Sequence, residues 1–239
     1  MSGHSKWSKI QRGKAISDQK KGVVFSKLGR QIAIAVREGG NDPSSNFKLR
    51  LVIEKAREAE MPKDNIERAI AKAAGGGGDQ QIEQATYEGF GPFGTTFVVE
   101  AATDNKNRAT ANIRHLLEKF GGSMGQPGSV VWGFETKGQI LVQKNGHNAE
   151  DVELAAIDAG AEDVKTSEQG VEIYTTPLDL KNIKQALEKI SVKIASAEIV
   201  MHPKTPTELT PEQKEKVQAL FEALSEDEEV IAVHTSANL

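Results

Sequence analysis

The sequence predicts an α+β protein: an amino-terminal three-helix domain followed by two α/β domains, the third of them ferredoxin-like and inserted in the second. Three observations carry this. Apolar residues recur at helical spacing three times before residue 75. A run of four glycines, Gly75 to Gly78, then interrupts the chain. Beyond it, short Val/Ile-rich segments alternate with amphipathic ones, and from Gly138 onward their order is β-α-β-β-α-β.

The first helix is expected from about Ser17 to Arg37. Phe25, Leu28, Ile32, Ala35 and Val36 fall at spacings of three, four, three and one, which makes one apolar stripe. Lys20, Lys27, Arg30 and Arg37 lie on the opposite side, a basic face expected to stay in water; Lys21 lies near the apolar sector. Gly39-Gly40 ends this helix. A turn from Asn41 to Asn46 supplies N-cap residues for a second helix with Leu49, Val52, Ile53, Ala56 and Ala59 on one face. Pro62 suits the first turn of a third helix, whose apolar face is Ile66, Ala69, Ile70 and Ala73. The glycine run reads as a linker, since no Gly-Lys-Ser/Thr follows it and no strand precedes it. The first domain is therefore set at 1–78.

The middle domain begins with a strand at 95–102, a helix whose inward positions are Ile113, Leu116, Leu117 and Phe120, and a second strand at 129–134. The ferredoxin-like set follows: strand 139–143, helix 149–159, strands 161–166 and 171–175, a helix marked by Leu180, Ile183, Leu187 and Ile190, and strand 193–201. Thr210-Pro211-Glu212-Gln213 is a capping box with Pro at the first helical position. The helix it opens, and the strand 230–233, cannot stand alone. They are expected to return to the middle domain, giving boundaries of 79–135 plus 205–239, with 136–204 as the insertion.

Charge is distributed unevenly. Residues 1–37 hold nine Lys/Arg against one acid, Asp18, so they carry +8 in a chain whose net charge is −4; the remainder carries −12. Such asymmetry points the basic end at phosphate. Lys6, Lys9, Arg12, Lys14, Lys20, Lys21, Lys27, Arg30 and Arg37 are the candidate phosphate contacts. Trp7 has two readings: a ring that staples the tail onto the helices, or a stacking platform for nucleic-acid bases. The absence of cysteine excludes disulfides and thiolate metal sites. No apolar run approaches the roughly 20 residues a bilayer requires, and the start of the chain has no secretory h-region. A cytoplasmic protein, monomeric or weakly dimeric, is expected.

Catalytic signals are weak. Gly89-Phe90-Gly91-Pro92-Phe93-Gly94 matches G-x-G-x-x-G but precedes a strand, whereas a dinucleotide site needs the motif to open a helix. The five histidines include no i, i+4 pair, and there is no Ser-centred nucleophile elbow. No cofactor, metal site or catalytic residue is expected. At Thr103-Asp104-Asn105-Lys106-Asn107-Arg108 two readings stand together: helix capping by Asp104 or Asn105, and an anion site formed by Asn105, Lys106 and Arg108 at a helix N-terminus.

Several long segments resemble the YebC-like family, which includes the mitochondrial translational activator of cytochrome c oxidase. They are Gly3-His4-Ser5-Lys6-Trp7, Arg37-Glu38-Gly39-Gly40 with Asp42-Pro43, and Met61 to Ile70; then Tyr87 to Pro92, Thr103 to Arg108, and Gly128-Ser129-Val130. The resemblance implies three domains and a DNA-binding transcriptional regulator. The alternative it implies is a ribosome-associated translation factor that binds RNA. Gly13 and Val23 stand where relatives often carry Arg or Lys, which weakens a sequence-reading role for the basic cluster. An enzyme with a cleft between its domains is the third and weakest reading.

Overall fold

The computed structural model describes residues 18–75, 82–143 and 148–239. Three helices come first: α1 (Asp18–Gly39), α2 (Phe47–Glu58) and α3 (Lys63–Ala74). The apolar stripe of α1 packs as its spacing requires. Leu28, Ile32, Ala35 and Val36 are buried against Leu49, Ile53, Ala56, Met61 and Ile66. Asn46 fixes the angle between α1 and α2. Its carboxamide oxygen accepts from Leu49 N at 3.0 Å, capping α2, while its Nδ2 donates to Ala35 O and Gly40 O, both at 2.7 Å. Gly40 adopts φ +84, the left-handed conformation that ends α1. A β-carbon at Gly39 would stand 2.7 Å from the Asn46 amide, so this capping geometry requires glycine there.

The first sheet contains β1 (Glu83–Phe90), β2 (Thr96–Thr103), β3 (Ser123–Met124) and β8 (Val230–Thr235) in the order β3-β1-β2-β8. All its pairings are antiparallel, with Tyr87 opposite Val99 and Val99 opposite Val233. Helices α4 (Lys106–Lys119) and α7 (Pro211–Glu226) cover one face. Phe97, Val99 and Ala101 meet Ile113, Leu117, Val217, Leu220 and Leu224 there. Val98 and Ala102, which alternate out of that core, are also fully buried. The expected capping box is present: Thr210 accepts from Gln213 N, and Gln213 accepts from Thr210 N.

Two sequence expectations are corrected. The segment 129–134 is not a strand; Val131–Gly133 is a single 3-10 turn, and the next strand begins at Phe134. The cause is Glu88. Its carboxylate accepts from Gly128 N at 2.5 Å, Val130 N at 2.6 Å and Val131 N at 2.8 Å. Amides that converge on one carboxylate cannot donate to a ladder. Glu88 therefore stays ionised below its usual range: burial opposes this, but the three N–H donors outweigh it. The second correction is that the sheet also contains β1 and β3, so this part is a four-stranded antiparallel sheet completed by the tail, and not β-α-β. Strand β1 reads Glu-Gln-Ala-Thr-Tyr-Glu-Gly-Phe, with a buried Glu and Gly where the alternation calls for apolar residues.

The second sheet contains β4 (Phe134–Gln143), β5 (Asp163–Thr166), β6 (Gly170–Thr175) and β7 (Ile194–Pro203) in the order β5-β6-β4-β7. Helices α5 (Ala149–Asp158) and α6 (Leu180–Lys189) complete the ferredoxin-like βαββαβ set. Residues 135–202 form one compact unit, and 18–134 with 203–239 another. Within the latter unit α1 is hydrogen-bonded to β2, to β8 and to the end of α7 and the turn that follows it.

Candidate nucleic-acid interface

The polar face of α1 was expected to remain in water, and over much of its length it does not. Lys27 Nζ donates to Ser225 O at 2.5 Å, at the carboxyl end of α7. Arg30 Nη1 donates to Glu228 O at 2.8 Å and to Ala102 O at 3.4 Å. Gln31, on the same face, donates to Ile231 O at 3.1 Å. Arg37 reaches Ile82 O at 2.5 Å. Burial lowers the Lys27 pKa to about 8, against the opposing pull of Asp227 and Glu226. These side chains hold α1 to the sheet.

The other candidate cations are placed differently. Lys21 pairs with Glu60 at 3.1 Å on the surface, where an ion pair is weak and exchangeable. The backbone of Lys20 lies in the first turn of α1. Lys6, Trp7, Lys9, Arg12 and Lys14 lie outside the described residues.

The rim at the start of α4 does come together. Asn105 is the N-cap and accepts from Arg108 N at 3.1 Å. Thr103 Oγ1 accepts from Asn105 N at 2.8 Å and donates to Glu229 Oε1 at 2.6 Å. Arg108 donates from Nε and Nη2 to the two oxygens of Glu229, at 3.2 and 2.6 Å, and from Nη2 to Asp104 at 2.5 Å. Lys106 pairs with Glu83 at 2.6 Å. Glu83, Thr103, Asp104, Asn105, Lys106 and Asn107 line an open cleft of about 400 Å³.

Carboxylates answer the cations in this cleft. The Arg108 hydrogen bond holds Asp104 below the usual carboxylate range. Glu229 is held low as well: burial would raise it, but Arg108 and Thr103 outweigh that. The capping reading is realised, and both cations are engaged by acids of this chain. Glu229 escaped the sequence reading. The available signal was the acidic run Glu226-Asp227-Glu228-Glu229, a natural counterpart to a basic helix face. Among the described residues, no group of three His, Asp or Glu side chains could hold a metal ion, and no helix is long and apolar enough to cross a membrane.

A helical layer hydrogen-bonded to an antiparallel sheet, with a ferredoxin-like set inserted in the sequence between β3 and β8, defines an α+β protein. The chain belongs to the TACO1/YebC family. The family's N-terminal domain matches residues 5–76, and its second and third domain matches 82–237. A probable transcriptional regulatory protein of Thermomicrobium roseum is 47% identical over 239 residues, covering 100% of this chain and 96% of its own. One of Enterococcus faecalis is 43% identical, covering 99% of each. The crystal structure of a conserved hypothetical protein from Aquifex aeolicus superposes with a TM-score of 0.85 at 42% identity, covering 92% of this chain and 91% of its own.

Proposed function

We propose that this chain is a nucleic-acid-binding regulator of transcription that grips the phosphates of DNA with Lys6, Lys9, Arg12, Lys14, Lys20 and Lys21. The observation that carries this is the +8 charge of residues 1–37 in a chain of net −4; the names of the relatives agree with it. Lys27, Arg30 and Arg37 act instead as clamps on backbone carbonyls. Affinity comes from counterion release, which needs cations and no base contact. Fluorescence anisotropy on a duplex of about 20 base pairs tests the reading. Charge reversal of Lys6, Lys9, Arg12 and Lys14 to Glu is expected to weaken binding by a hundredfold or more, and unchanged affinity would refute it.

A second reading, binding to ribosomal RNA, is favoured by one observation. Arg30 and Gln31, the α1 side chains best suited to base edges, are spent on carbonyls. Phosphate and shape recognition suffices for folded RNA. Cross-linking in cells followed by sequencing separates the two: promoter DNA without ribosomal RNA supports transcription, and the reverse supports translation.

A further inference from the structure

Three large aromatic rings stand in water on two adjoining loops. Phe90 and Phe93 are each 43% exposed and Trp132 is 72% exposed. Phe90 ends β1, Phe93 lies in the turn between β1 and β2, and Trp132 lies in the turn before β4. Glu88, two residues before Phe90 and so on the same face of β1, ties residues 128–131 to that strand through its three amide hydrogen bonds. A β-carbon at Gly125 would lie 3.3 Å from the Phe90 ring and would overlap the Ser129 hydroxyl. The Trp132 indole in turn donates to Ser129 O at 2.9 Å. Gly125 and Ser129 thus link the Phe90 and Trp132 segments.

Lysines accompany the rings. Lys216 Nζ lies 5.9 Å from the Phe93 centroid. Exposed Lys204 donates from Nζ to Trp132 O at 2.8 Å and from its backbone N to Gly133 O at 2.9 Å. Segments 89–99 and 119–134 contain no acid. The carboxylate of Glu88 is buried and satisfied; the other acids near these residues in sequence are Glu135, which pairs with Lys137, Glu208, and Glu212 and Glu215 on the helix that bears Lys216. Phe93 also holds φ +61 and ψ +29, a conformation glycine adopts freely and phenylalanine does not. Scattered exposed apolar residues need no explanation; three rings on joined loops, one of them strained, with cations beside two of them, do. The core between the first sheet, α4 and α7 forms without them.

We infer that Phe90, Phe93 and Trp132, with Lys216, form a stacking platform for single-stranded nucleic acid. Ring faces accept any base by stacking, Lys216 offers a cation to the phosphates between bases, and Lys204 braces the Trp132 turn through its carbonyl contacts. The flanking glycines Gly94, Gly128 and Gly133, whose β-carbon positions are open, leave the strand free to approach the backbone. This inference rests on the nucleic-acid reading of the protein but uses none of the cations assigned to that reading.

The test uses the full chain and a fluorescent oligouridylate about a dozen nucleotides long, its thymidylate counterpart, and a duplex. Trp132→Ala with Phe93→Gly is the principal variant. Glycine keeps the left-handed backbone at 93, so folding is preserved, and thermal unfolding verifies it. Binding of both single strands is expected to weaken on the order of tenfold per ring, with duplex affinity unchanged and Trp132→Phe recovering most of the loss at that position. Wild-type affinity of the double variant for the single strands would overturn the platform while leaving the proposed function intact. Equal losses on single strand and duplex, or binding of only one of the two single strands, would overturn it too. A wild-type protein that binds neither single strand nor duplex would sink both readings.

Discussion

The engagement of Lys27, Arg30 and Arg37 by backbone carbonyls has a measurable consequence for salt dependence. Each neutralised phosphate on duplex DNA contributes about −0.9 to the slope of log K against log salt. Nine contacting cations would give a slope of about −8. The structure commits Lys27, Arg30 and Arg37 to the carbonyls of Ser225, Glu228, Ala102 and Ile82. Six remain, and the slope becomes about −5. Between 50 and 200 mM salt the affinity is then expected to fall about 10³-fold rather than about 10⁵-fold. Anisotropy titrations at four or more salt concentrations measure this directly. Lys14→Ala is expected to flatten the slope by about 0.9, and Arg30→Ala to leave it unchanged while lowering the unfolding midpoint. A wild-type slope near −8, or flattening by Arg30→Ala, would refute the division of roles.

Glu229→Gln removes the charge that Arg108 and Thr103 share. Because Arg108 is about half exposed and keeps Asp104, a loss of about 2 kcal/mol is expected by urea unfolding at pH 7, below that of a fully buried pair. The folded Glu229 pKa is depressed, so its contribution is present above the unfolded carboxylate range and is lost as pH falls through the folded value. Wild type and variant should converge in acid; a constant difference between them would contradict this. Lys27 has the opposite sense. Its pKa falls from 10.5 to about 8, so the folded state binds fewer protons between those values. Relative to Lys27→Met, wild-type stability should therefore rise by about 1–3 kcal/mol from pH 8 to 10.5, and a flat difference would show that Lys27 is not buried as a charge. Gly122→Ala would place a β-carbon 2.3 Å from Phe90 O. A backbone atom cannot yield as a side chain can, so a loss of about 2 kcal/mol or more is expected in thermal unfolding.

Most elements were legible because their signals are local. The α1 stripe, the Thr210 to Gln213 capping box and the ferredoxin-like order each follow from periodicity or capping chemistry within a few residues. Strand β1 was not legible. Its buried positions are Glu88 and Gly89: one is satisfied by amides some 40 residues away, and the other is kept small by Leu117, whose Cδ1 would lie 2.7 Å from a β-carbon there. Segment 129–134 misled for the complementary reason. Val130-Val131-Trp132 has strand composition, but its amides are already taken by Glu88. The candidate site divided in the same way. Charge and capping were readable at Asn105 and Arg108, while their counter-charge on Glu229 depends on the return of the tail.

The polar face of α1 shows why charge alone could not assign roles. The β2–β8 ladder shifts register between Glu100 and Ala101, and Ile231 has no partner in it. A bulge of this kind leaves backbone groups without ladder partners, and buried ones must find donors elsewhere. Arg30 and Gln31 supply them at Ala102 O and Ile231 O, while Lys27 meets the carbonyl end of α7, where a helix favours a cation. Phosphate oxygens and unpaired carbonyls call for the same donors. A basic helix face therefore marks electron-rich oxygen within reach, and only the position of the sheet decides that for these three residues the oxygen belongs to the protein itself.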